Sequence, residues 1–239
     1  DIYNSADVYL TAKTYLDAND ETQQRSITLN GSITDKATPT GILHINGAGV
    51  VNLNNTVTQK EVIVTDGTTN IGATLTATDM SNSAEVNASA SYLNVTNPIS
   101  NTGVINLSEG ILTSSIVDNQ TTKTGVTNFV SGNITNNAVI AQKEVTNSAI
   151  LQNNAKITAT TITNTGNLTS LADNLVAEIS NTNILNLTGG AVQGNITGND
   201  GIVNTTGAVT NAKNITQASL NVNSGSLANT GVITLSDGG

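Results

Sequence analysis

Three bulk properties narrow the class of this 239-residue chain before any motif is read. Aromatic residues make up 2% against 37% hydrophobic residues, with no Trp and one Phe, so the interior is built of Ile, Val, Leu and Ala rather than interlocking rings. The net charge of −9 argues against nucleic acid and anionic membrane surfaces as partners, and no run of about eighteen apolar residues offers a membrane-spanning helix.

Asn and Thr together supply roughly a third of the chain, far above ordinary usage. Aliphatic residues recurring at strand spacing, with only 10% charged residues, mark this bias as ordered structure rather than low complexity. No composition shift marks a boundary, which predicts one elongated body. Cysteine is absent, which fits a protein exported unfolded, and the first residues carry no basic and apolar leader.

Residues 1–40 lack the repeat seen later. Ser5–Leu16 fits a helix with Val8, Ala12, Tyr15 and Leu16 on one face, or a strand in which Val8, Leu10 and Ala12 alternate with Tyr9, Thr11 and Lys13. The strand is favoured. Tyr3, Tyr9 and Tyr15 fall here with the one Arg, Arg25, as an aromatic binding patch or, preferably, as part of a cap over an open first rung.

From residue 41 to 239 a unit recurs. Asn101-Thr-Gly-Val-Ile-Asn-Leu107 returns as Asn181-Thr-Asn-Ile-Leu-Asn-Leu187 and Asn229-Thr-Gly-Val-Ile-Thr-Leu235, with a looser copy at Gly47-Ala-Gly-Val-Val-Asn-Leu53. One short strand between two corners, repeated, is the mark of a solenoid. Turn signals at Asn101, Lys123, Asn147, Asn164, Asn181, Asn204 and Asn229 are separated by 22, 24, 17, 17, 23 and 25 residues, which predicts coils of about twenty residues with variable loops. Segments such as Ile157–Ile162 and Leu220–Val222 alternate aliphatic and Thr or Asn side chains, one face inward and one outward. Stacked coils would place like over like, with Asn at the corners forming amide ladders and Asn or Gly taking left-handed backbone there.

These Asn-Thr-Gly-aliphatic coils and the Gly47–Leu53 segment, in a cysteine-free acidic chain, resemble the right-handed parallel β-helix passenger domains of autotransporters, secreted surface proteins of Gram-negative bacteria. The resemblance covers residues 41–239 and rests on composition and period. It implies an all-β, right-handed parallel β-helix, exported through the outer membrane to the cell surface or beyond. It further implies an adhesin that binds protein or glycan on host or neighbouring cells. The ending at Asp237-Gly238-Gly239, in mid-repeat, leads us to expect a fragment of a longer protein.

Alternatives are a self-assembling subunit of a surface layer or fibre and, less favoured, a polysaccharide lyase or hydrolase. The latter needs clustered carboxylates with basic partners, whereas Asp66, Asp79, Glu109, Asp118, Glu144, Glu178 and Asp200 are scattered singly. His44, alone in Ile42–Ile45, forms neither a triad nor a metal cluster and reads as a strand position. Gly189–Ile196 has the glycines of a calcium nonapeptide but lacks its Asp. Asn-X-Thr triplets such as Asn94-Val-Thr96, Asn133-Ile-Thr135, Asn186-Leu-Thr188 and Asn195-Ile-Thr197 arise by chance in such a composition. We therefore expect no enzyme activity, no catalytic, cofactor or metal site, and binding residues that sequence does not name.

Overall fold

In the computed structural model, residues 1–19, 21–35 and 38–236 are described. The fold is a parallel β-solenoid: 59% of it is strand and 3% helix, and the strands stack in register about 18 residues apart. The alternation in the sequence is the cause. A strand whose every second residue is Leu, Ile or Val buries that row, worth about 1.5–3 kcal/mol per side chain, and leaves the row between in water.

The chain divides into two compact units. The first comprises residues 1–107 and 113–125, and each of its coils turns through three faces. One face stacks Ser26–Leu29, Val50–Leu53, Thr68–Ile71 and Glu85–Ser89. A second carries Ile2–Tyr3, Ile33–Thr34, the start of Val57–Val64 and of Leu75–Asn82, and Leu93–Val95. The third stacks Asp7–Thr11, Ile42–Asn46, the remainder of those two long strands, Ile99–Asn101 and Ile116–Val117.

Ser5–Leu16 is strand, as favoured, over Asp7–Thr11 and Thr14–Leu16. Ile2–Tyr3, Asp7–Thr11, Ser26–Leu29 and Ile33–Thr34 share the ladder after all, Asp7–Thr11 lying parallel and in register with Ile42–Asn46. The repeat was hidden because Thr14–Leu16 and Thr22–Gln24 are inserted as an antiparallel hairpin, lengthening that coil.

The second unit comprises residues 108–112 and 126–239. Its first face includes Val126–Phe129, Glu144–Asn147, the ends of Ile157–Asn164 and Leu175–Asn181, Ile196–Thr197, Asn214–Gln217 and Val232–Leu235. Its second stacks Gly110–Leu112, Asn133–Asn136, Ile150–Asn153, Asn167–Ser170, Ile184–Leu187, Ile202–Thr205 and Ser219–Val222. Inside this face Ile134, Leu151, Leu168, Leu185 and Val203 form one aliphatic column, each at most 1% exposed.

The coil is shorter than the twenty residues expected. Registered partners such as Glu144 and Thr161, or Ile184 and Ile202, are 17 or 18 apart. The turn signals gave longer steps because they belong to different corners. Asn181 ends a strand of the first face, Asn204 lies in the second, and Asn229 ends Ser226–Asn229, which stacks on Ala208–Asn211 in a third face of this unit. The copy at Asn229–Leu235 therefore does not stack on the copy at Asn181–Leu187. Asp237-Gly238-Gly239, where the sequence suggests a fragment's end, lies outside the described residues.

The expected corner ladders are present. Asn147 Nδ2 donates to Asn164 Oδ1 at 2.8 Å, and Asn164 Nδ2 to Asn181 Oδ1 at 2.7 Å. In the first unit Asn82 Nδ2 donates to Asn101 Oδ1 at 2.7 Å. Left-handed backbone is taken, as expected, at Gly47, Gly67 and Gly207, with φ of 88°, 71° and 70°. Gly103 and Gly166 are absent from the positive-φ set, but a Cβ on them would lie 2.1 Å from the Ala84 carbonyl and 2.3 Å from that of Ala149. What they supply is close approach between coils rather than left-handed backbone.

Candidate functional site

Of the residues singled out in sequence, Tyr9 meets His44 and Tyr15 meets Arg25, while the rest disperse. Tyr3, Tyr9 and Tyr15 sit on three different strands, each with its own neighbours. Tyr9 stacks on His44 with ring centroids 4.4 Å apart and planes 5° from parallel. Asp7 Oδ2 lies 3.5 Å from His44 Nε2 and accepts from the Tyr9 hydroxyl at 3.4 Å. Tyr15 holds the Arg25 guanidinium 4.9 Å from its ring centroid. Tyr3 edges a pocket of about 340 Å³ with Asn4, Ser5, Thr34 and Asp35.

The carboxylates are engaged in local structure. Asp66 accepts the Gly67 amide, and Asp79 accepts from Asn97 Nδ2 at 2.8 Å while lying in register with Glu61. Glu144 and Glu178 flank Thr161 on successive coils. Glu109 and Asp200 are exposed outside the strands. Asp118 is buried and accepts the amides of Gln120, Thr124 and Gly125 at 2.7–2.9 Å, closing the loop that the sequence showed only as Lys123-Thr-Gly125. Burial pushes its carboxyl up, but the amides of Gly125, Gln120 and Thr124 and the charge of Lys123 outweigh that, so it stays below the usual carboxylate range. At Gly189–Ile196, Asp173 Oδ1 accepts from the Ala191 amide and Gln193 Nε2, so a protein carboxylate closes the bend. Among the described residues there is no group of three or more His, Asp or Glu placed to hold a metal ion.

What the register does assemble is a surface. On the second face of the second unit, the outward positions form two columns. One runs Asn133, Ile150, Asn167, Ile184, Ile202, Ser219, and the other Thr135, Gln152, Thr169, Asn186, Asn204, Asn221. Six coils deep, it carries no charged side chain, in a protein with 17 acidic and 8 basic residues. The first face of the same unit, by contrast, carries Glu144 and Glu178 outward.

The uncharged face is rigidified by its own amides. Asn186 Nδ2 donates to Asn167 Oδ1 (2.9 Å) and Thr169 Oγ1 (3.1 Å), Asn204 Nδ2 to Asn186 Oδ1 (2.9 Å), and Asn221 Nδ2 to Asn204 Oδ1 (3.0 Å). Beside it, at the corner leading onto the face, Gly132, Ala149, Ile150, Gly166 and Asn167 line a shallow groove of about 530 Å³, also uncharged. Ile150, 58% exposed, is its most prominent apolar group. Sequence reasoning assigned recurrent Asn to corners and missed this face. The signal was the Asn inside the repeated strand, as in Ile184-Leu-Asn186-Leu187, where alternation places it outward.

Solenoid architecture with ranked outward side chains defines the class of protein. No family model, curated protein or solved structure matches the chain. Among the described residues no helix is long and apolar enough to cross a membrane.

Proposed function

We propose that the chain is the binding portion of an exported bacterial surface protein, an adhesin in the manner of autotransporter passengers, and not an enzyme. The observation that carries this reading is the uncharged outward face of the second unit, six coils of outward groups, nine polar and three isoleucine, held in fixed register. A surface that repeats at each coil suits a repetitive or densely displayed target, because weak contacts made together gain avidity without any one being strong. The test is binding of the fluorescently labelled chain to bacterial and host cells. Asn204→Lys should reduce binding at least tenfold, while Thr163→Lys, on the neighbouring face, should not. Equal binding by both variants would remove the face from the account.

A further inference from the structure

From the same uncharged face we infer the chemical class of the target: a neutral polysaccharide lying along the stacking direction across Asn186, Asn204 and Asn221. This rests on the binding reading above and narrows it. Three observations carry it.

The first is charge. The protein's net charge of −9 repels anionic polymers at long range, and a cationic one would find no carboxylate among the outward side chains of this face. A polymer without charge meets neither obstacle.

The second is the valence of the amides. A side-chain amide has two N–H donors and two acceptor lone pairs. Asn204 donates once to Asn186 and accepts once from Asn221, which leaves one donor and one lone pair. Asn221 donates once to Asn204, leaving its second N–H. Hydroxyl groups, which both donate and accept, match what Asn204 offers, and on the adjacent coils, about 4.8 Å away, Asn221 adds a donor and Asn186, whose two N–H bonds go to Asn167 and Thr169, an acceptor lone pair.

The third separates a polyol from a protein partner. Protein interfaces draw their affinity from buried Trp, Tyr, Phe, Met and Arg anchors. The outward columns of this face contain none of these. Ile150, Ile184 and Ile202 supply flat aliphatic area between the amides, against which the C–H faces of sugar rings can lie.

The experiment is native electrophoresis of the intact chain in gels containing dextran, a soluble β-glucan or a mannan, with hyaluronate and dextran sulfate as anionic probes. We expect retardation by at least one neutral polymer, little changed between about 0.05 and 0.5 M salt because no counterions are displaced. Long chains should bind at least tenfold tighter than short oligomers of the same sugar. Asn204→Asp, which replaces the donor by a carboxylate of the same shape, should weaken retardation at least tenfold, and Thr163→Asp should leave it unchanged. Thermal unfolding of each variant separates lost binding from lost fold, and Asn221→Asp provides a second amide variant if the first unfolds.

Retardation by the anionic polymers alone, or binding abolished by salt, would overturn the inference. So would retardation insensitive to Asn204→Asp and Asn221→Asp. Cell binding without retardation by any neutral polymer would overturn this inference while leaving the binding function standing; absence of both would remove the two together. Dimerisation abolished by Asn204→Asp would reassign the face to a second copy of the chain and overturn it as well.

Discussion

A residue in this chain is defined by the side of the pleat it occupies. Leu187 and Asn186 are neighbours in a repeated motif, yet Leu187 is 2% exposed and Asn186 takes part in the outward ladder. Leu187→Ala should cost about 2–5 kcal/mol through the cavity it leaves. Leu187→Asp should cost more than about 4 kcal/mol, because it buries an unpaired charge in the interior, where its registered neighbours are the uncharged Ser170 and Thr205. A thermal unfolding midpoint within a degree or two of the parent for Leu187→Asp would place that residue on the wrong side. The inward Leu was legible in the sequence, since alternation marks it.

Asp118 was not legible, because its partners are backbone amides two, six and seven residues on. Its carboxyl titrates lower in the folded chain than unfolded. Its contribution to stability is therefore complete above the unfolded value of about 3.9 and is lost as pH falls through the lower folded value. Asp118→Asn should be less stable at pH 7 and show a shallower loss of stability on acidification below about pH 4. An unchanged acid slope would contradict the assignment.

At the scale of the element, a strand and its corner are held by what stacks above and below. Asn147, Asn164 and Asn181 continue one buried corner ladder until the chain offers Gly198 at the next rung, where a Cβ would lie 2.0 Å from the Asn181 carbonyl. Gln217, one coil further on, reaches back across that gap: its Oε1 accepts from Asn181 Nδ2 at 2.6 Å, and its Nε2 donates to the Gly198 carbonyl at 3.0 Å. The extra methylene of Gln is what spans two rungs. Gln217→Asn should lose the contact to Asn181 and destabilise the protein by about 1–3 kcal/mol, the cost of buried polar groups left unmatched. Chemical denaturation that shows no shift in midpoint would mean that the bridge contributes nothing.

Corner ladders were foreseeable from the recurrence of Asn. The substitution of one long amide for two short ones was not, because a Gln in a Thr-Gln-Ala-Ser context carries no local signal. Corner positions were also misjudged where one turn recipe serves several corners, as Asn181, Asn204 and Asn229 show.

For the molecule as a whole, the class of fold was readable because the same physical solution is written many times. Short aliphatic strands, Asn-Gly corners and scarce aromatics agree with one another at every level, and that agreement specifies a solenoid. The binding face was unreadable for the complementary reason. Its columns gather residues from six coils, and each column depends on a register of 17 or 18 residues that one turn recipe used at several corners conceals. A slip of one residue would turn every outward Asn to the interior.

That register is therefore the claim on which the uncharged face depends, and the absence of native cysteine makes it directly measurable. Asn186 and Asn204 are registered partners on adjacent coils, with side chains in hydrogen-bond contact at 2.9 Å. Val203 is fully buried on the opposite side of the strand. Under mild oxidation Asn186→Cys/Asn204→Cys should form an intramolecular disulfide, seen as a loss of two free thiols without dimerisation, because paired strands hold Cα atoms within bridging distance. Asn186→Cys/Val203→Cys should keep both thiols. Cross-linking of the second pair and not the first would contradict the register and, with it, the face.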